Sequence, residues 1–244
     1  MNNLFDVSGK IILITGGTRG IGLEIVESLI QTNKIIIISK NCKNETFINY
    51  KNKEWNHETI QCDLSNKDEV EKLRYLECTP IDILINNAGN QERESFINYS
   101  AEQWDKDIQL LLSSVFRLSQ IISKSMITHN KKGRIINVGS ISSFQGAKNI
   151  VGYITAKHGI IGLTKAMAVE LAQYGINVNC ISPGMIDTDL LNKFEYDKDL
   201  IKRIPQQKLG KSEDIIGTIL YLCSEASNYV TGVNIPIDGG WLSR

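Results

Sequence analysis

Short β-branched runs alternate with longer amphipathic stretches along this chain, the pattern of βαβ units that build a parallel sheet. Residues 11–15 read as the first strand, and Leu23, Val26, Leu29 and Ile30 then recur at helical spacing as the buried stripe of the next element. Further strands are predicted at 35–39, 59–62, 81–86, 134–138, 177–181 and 232–237. The clearest helices are expected around 103–128, 153–173 and 212–224. Right-handed crossovers place such helices on both faces of one sheet. The expected fold is therefore α/β: a doubly wound, Rossmann-type, mostly parallel sheet in a single domain. The polar stretch 41–57 reads as a loop or a weak helix. Segment 187–205 is the least regular long stretch and a candidate lid.

Composition narrows the classes. A length of 244 residues suits one large domain spanning 1–244 and leaves no room for a separate substrate domain. Basic and acidic residues both total 27, so no net field calls for nucleic acid or a membrane surface. The longest apolar runs, such as Ile35–Ile38, fall well short of the roughly 18 residues a membrane span needs. Five cysteines without a C-x-x-C pair suit reduced thiols, and the first ten residues carry no apolar signal region. A cytoplasmic protein is expected. His57, His129 and His158 stand at no mutual ligand spacing, so no metal site is expected.

Chemistry concentrates in a few motifs. Thr15-Gly16-Gly17-Thr18-Arg19-Gly20-Ile21-Gly22 lies between a predicted strand and a predicted helix. Glycines there permit a tight turn and let a pyrophosphate approach the helix N-terminus, where N–H groups and the dipole favour anions. Asn86-Asn87-Ala88-Gly89 ends a later strand. Tyr153 follows Ser140 by thirteen residues and precedes Lys157 by four. Pro183-Gly184-Met185-Ile186-Asp187-Thr188 and Asp238-Gly239-Gly240 complete the set.

These five motifs, in this order and at these spacings, resemble those of the short-chain dehydrogenase/reductase family over nearly the whole chain. The resemblance implies hydride transfer with a nicotinamide cofactor, Ser140, Tyr153 and Lys157 as catalytic residues, and Asn87, Ala88 and Gly89 on the cofactor wall. It also implies that Pro183, Gly184, Ile186 and Thr188 hold the nicotinamide end. Asp63-Leu64 resembles the family's adenine-binding pair, although a helix-capping Asp63 is an alternative. A homotetramer is implied too, built through the long helices around 103–128 and 153–173, with a second contact near Trp241.

The residue types suit that chemistry. Tyr153 and Lys157 share a helix face. A free phenol titrates near pH 10, too high for easy proton exchange at neutrality, and a nearby ammonium with the positive nicotinamide would lower it. Tyr153 then serves as general acid toward a carbonyl oxygen, with Ser140 bonded to the same oxygen. The second strand ends Ile38-Ser39-Lys40, without the carboxylate that accepts from the ribose of NAD. Arg19, Ser39 and Lys40 resemble a 2′-phosphate site, so NADPH/NADP is expected over NAD; two solvated cations are the alternative.

Substrate class stays open between two likenesses. Segments 112–119 and 205–214 resemble 3-oxoacyl-(acyl-carrier-protein) reductases, which implies a β-ketoacyl thioester substrate and an acyl carrier protein as partner. The opening Leu4-Phe5 and Gly9-Lys10 are similar to sugar-acid dehydrogenases, which implies a sugar or polyol. The basic group Lys131, Lys132 and Arg134 is either a solvated turn or a carrier-protein contact. Segments 90–95, 142–150 and 187–205 are expected to line the pocket. One position departs from the family: where its catalytic Asn stands, this chain has Leu111. A non-catalytic nucleotide-binding homologue is therefore a further alternative. If the chain is an enzyme, Ser114, three residues on, is the expected substitute for holding the proton-relay water.

Overall fold

The computed structural model describes residues 3–42, 56–192 and 199–244. Seven parallel strands form one sheet: β1 (Ile11–Thr15), β2 (Lys34–Ser39), β3 (His57–Gln61), β4 (Ile83–Asn86), β5 (Arg134–Val138), β6 (Asn177–Pro183) and β7 (Asn234–Ile237). Their order is β3-β2-β1-β4-β5-β6-β7. The chain leaves β1 toward one edge and returns to its other side as β4, so the topology reverses between these two strands. That crevice, at the carboxyl ends of the strands, is where doubly wound sheets bind ligands.

The inner strands are apolar on both faces because both are covered. Ile12, Ile14, Ile35, Ile37, Ile83 and Ile85 pack on one side with α1 (Gly20–Leu29) and with a late helix, Glu213–Cys223. Leu13, Ile36, Ile38, Leu84 and Ile135 pack on the other, against Leu118, Ile121, Ile122 and Met126. Ile25 joins the buried stripe of α1, whereas the predicted Leu23 is only half buried.

Edge and loop elements depart most from expectation. The edge strand β3 begins two residues earlier than predicted, because its polar sequence is set by pairing with β2 and not by burial. After it, α2 (Lys67–Lys72) is capped by Asn66, whose side chain accepts from the amides of Asp68 and Glu69. The long helix predicted around 103–128 is α3 (Ala101–Ile108), a π turn (Gln109–Ser113) and α4 (Ser114–Thr128). By length and composition this stretch could cross a membrane, but 56% of its apolar window is buried inside the fold. Helix α5 (Val151–Leu171) runs alongside it, and α6 is the late helix Glu213–Cys223. Most of the predicted loop 41–57 and the centre of the predicted lid (193–198) lie outside the described residues.

Candidate active site

A cleft of about 880 Å³ opens at the carboxyl ends of the strands. Its wall contains every residue expected from the resemblance to be catalytic or to bind the cofactor: Gly16, Thr18, Arg19, Gly20, Ile21 and Gly22; Ser39 and Lys40; Asp63 and Leu64; Asn87, Ala88 and Gly89; Ser140, Tyr153 and Lys157; and Pro183, Gly184, Ile186 and Thr188.

The glycine turn is built for close approach. Gly16 and Gly20 have φ of +69° and +52°, a left-handed conformation that favours glycine. A side chain at Gly22 would meet the Gly16 carbonyl oxygen at 2.1 Å. The first turn of α1 thus faces the cleft with free amides and no side-chain cap, a cradle that fits a dinucleotide pyrophosphate. Thr15 Oγ1 accepts from the amides of Asn87 and Ala88 at 3.0 and 2.9 Å, and Asn87 Nδ2 donates to the carbonyls of Thr15 and Gly16. These bonds lock the Asn86–Gly89 strand end onto the glycine turn.

At the far end of the cradle, Thr18 and Ser39 hydroxyls lie 3.2 Å apart, and Lys40 pairs with Asp63 at 2.6 Å. Burial raises the Asp63 carboxyl, but bonds from Lys40 and Ser65 outweigh it and hold it below the ordinary range. Asp63 does not cap the helix that follows; Asn66 does. Lys40 thus stands beside the Ser39 hydroxyl at the position expected for a ribose phosphate.

Ser140 follows β5 and caps a short turn, accepting from the Ser142 amide at 3.1 Å. Its hydroxyl stands near enough to the Tyr153 phenol to hold that group's pKa down in part. Lys157 is buried; its ammonium donates to the Val138 carbonyl at 2.7 Å and lies 5.6 Å from the Tyr153 ring centre. Burial pulls Lys157 down to about 8. Burial also pushes the Tyr153 phenol up, only partly offset by Ser140. In the chain alone desolvation dominates at Tyr153 and the Lys157 ammonium is engaged by Val138; the lowering expected is by ammonium and nicotinamide together.

Ser114 is buried, lies off the cleft wall, and donates to the Leu110 carbonyl at 2.7 Å, so its proton is spent within the helix. The basic group disperses. Arg134 is buried and bonds the carbonyls of Lys132 and Gly133 and the Asn228 side chain, while Lys131 pairs with Asp82 at 2.9 Å. Lys132 is exposed and Lys131 half-buried.

The three predicted pocket segments reach the cleft through Asn90, Gln91, Ser142, Gln145, Leu191 and Arg203, among others. Gln103, Asp107 and Trp241 also line it and were not anticipated as pocket residues. Nothing local in the sequence marks Asp107, a mid-helix acid brought to the cleft only by packing against α5.

The fold and cleft together define a dinucleotide-dependent oxidoreductase of the doubly wound class. A family model described as "Enoyl-(Acyl carrier protein) reductase" matches residues 16–242. The chain is 35% identical over 248 residues to 2-dehydro-3-deoxy-D-gluconate 5-dehydrogenase of Escherichia coli (strain K12), covering 98% of each chain. It is 38% identical over 242 residues to the 3-oxoacyl-(acyl-carrier-protein) reductase of Buchnera aphidicola subsp. Baizongia pistaciae (strain Bp), covering 95% of this chain and 96% of that one. Among solved structures, the gluconate 5-dehydrogenase of Burkholderia cenocepacia J2315, in complex with NADP and tartrate, superposes with a TM-score of 0.90 at 30% identity, over 99% of this chain and 98% of that one. The chain belongs to the short-chain dehydrogenase/reductase family and is an NAD(P)-dependent oxidoreductase acting between CH–OH and C=O.

Proposed function

We propose that the enzyme uses NADP(H) to interconvert a carbonyl and a hydroxyl on a sugar acid, with Ser140, Tyr153 and Lys157 as its catalytic residues. One observation carries the substrate class: about half of the cleft-wall residues not assigned to the nucleotide are polar, with cations and the acids Glu92, Asp107 and Asp189 among them. Asn90, Gln91, Ser142, Gln145 and Arg203 suit hydroxyls and a carboxylate better than an acyl chain. Arg203 lies 5.4 Å from the Trp241 ring centre, and no ion pair engages it among the described residues. The buried Nε1 of that tryptophan also lacks a partner among the described residues. Arg203 is the residue proposed to meet the substrate carboxylate. A relative that acts on a gluconate derivative supports this reading. A β-ketoacyl thioester is the second reading, supported by the 38% identical reductase.

The bound nicotinamide supplies or accepts the hydride. This chain supplies the rest. The raised phenol of Tyr153 stays protonated at neutral pH and is ready to donate to a nascent alkoxide. Ser140 fixes the phenol and donates to the same oxygen. Lys157 holds positive charge beneath the ring and restores the tyrosine's proton. Arg19, Ser39 and Lys40 hold the 2′-phosphate, and no carboxylate ends β2 to favour NAD.

The test is consumption of NADPH with 5-keto-D-gluconate, the uncharged ketose fructose and a β-ketoacyl thioester. Arg203→Gln should raise KM for the keto acid about 10–100-fold, the loss of a charge-assisted bond, and leave KM for the ketose unchanged. Arg19→Ala combined with Lys40→Ala should raise KM for NADPH and spare NADH. Preference for the thioester, or equal use of NADH by the wild type, overturns the respective assignment.

A further inference from the structure

Helix α5 carries both Tyr153 and Lys157, yet it begins poorly. Its N-cap residue is Ile150, which makes no side-chain cap bond, and no acidic residue stands in its first turn. The first amides of a helix have no partner within it and need one elsewhere. Here another element brings its oxygens against that first turn. The Tyr99 hydroxyl lies beside Gly152 and donates to Asp107 Oδ2. Asp107, buried on α3, accepts at its other oxygen from Gln103 Nε2 at 2.8 Å. The fit is tight: a side chain at Gly152 would lie 2.5 Å from Asp107 Oδ2 and 2.9 Å from the Tyr99 hydroxyl.

We propose that Tyr99 and Asp107 form an external N-cap for α5 and are positioning residues for Tyr153, the residue next to Gly152. The buried carboxylate also lies at the positive end of the helix dipole, where negative charge is favourable. Nothing covalent holds the start of α5 to α3, so this contact sets where the Tyr153 hydroxyl meets the substrate oxygen. A displacement of about 1 Å at a reacting group can cost about 10²-fold in rate, so a loosened cap is read in kcat before it is read in binding.

The inference rests on Tyr153 being the proton donor. A Tyr153→Phe control checks that separately: if this variant keeps its turnover, the assignment of Tyr153 fails whatever the cap does. In the holoenzyme, Tyr99→Phe and Asp107→Leu should each lower kcat about ten-fold, with the Kd for NADPH unchanged. Amide exchange over residues 150–156 should quicken in both. Asp107→Asn keeps an acceptor for Tyr99 and should recover most of the lost kcat. Gly152→Ala disturbs the same contact from the other helix and should reproduce the loss. Thermal melts and nucleotide binding report the folded fraction, to which every kcat is normalised. If the normalised kcat of folded Tyr99→Phe and Gly152→Ala stays within two-fold of wild type, or exchange over 150–156 is unchanged, the proposal is overturned.

Discussion

Lys157 shows most plainly how function and stability oppose each other at a single residue. Its ammonium is buried, satisfied in part by the Val138 carbonyl, and titrates near 8 instead of 10.5. The folded pKa lies below the unfolded one, so between about pH 8 and 10.5 the unfolded chain binds more protons. Stability contributed by this site therefore rises with pH through that window, and below pH 8 the buried charge is a standing cost. Lys157→Met should abolish most turnover yet be more stable than wild type at pH 7, by roughly 1–2 kcal/mol. Urea denaturation of both proteins from pH 7 to 10 checks this. The stability difference should shrink as pH rises, and taking the difference cancels the buried cysteines that titrate in both. A difference independent of pH would show that the lysine keeps its ordinary pKa in the folded state.

Among the elements, the break between α3 and α4 is the most consequential. The π turn Gln109–Ser113 carries Leu111, whose buried side chain packs toward Gly89 on the cofactor wall. Single π turns inside helices are rare and gather at functional sites. Ser114 closes the turn by bonding back to Leu110. Ser114→Ala should therefore lower stability by about 1 kcal/mol and leave kcat unchanged, because the lost bond is internal to the helix. Leu111→Asn places donor and acceptor groups where the family keeps its asparagine, and should not lower kcat. Steady-state rates with thermal melts on both variants decide the matter. A fall in kcat for Ser114→Ala without loss of stability would restore the serine to the proton path.

For the whole molecule, the expectation is assembly. Phe116 on α4 and Val169 on α5 are 50% and 80% exposed, large apolar groups on the two helices proposed to meet in a tetramer. Isolated apolar residues on a surface are ordinary, so solution mass must decide. Light scattering at micromolar concentration should give four times the mass of the chain, and Phe116→Glu with Val169→Glu should reduce it. A monomeric wild type would rule the tetramer out.

Strand cores and motifs were legible because their signals are local. Ile11–Thr15 and Arg134–Val138 were placed to the residue by β-branched runs, and the glycine turn by residues whose backbone conformation other types rarely adopt. The resemblance to the family, and the Ser140–Tyr153–Lys157 set it implies, rest on five motifs standing in the family's order. What the sequence could not reveal depends on neighbours far along the chain. Burial decided that the Tyr153 phenol is raised, and the Val138 carbonyl decided where the Lys157 charge goes. Packing of α3 on α5 brought Asp107 against the start of α5, and Asn66 displaced Asp63 as the cap of α2. Desolvation and long-range hydrogen bonds are properties of surroundings that only the folded chain assembles, and no periodicity or motif encodes them one residue at a time.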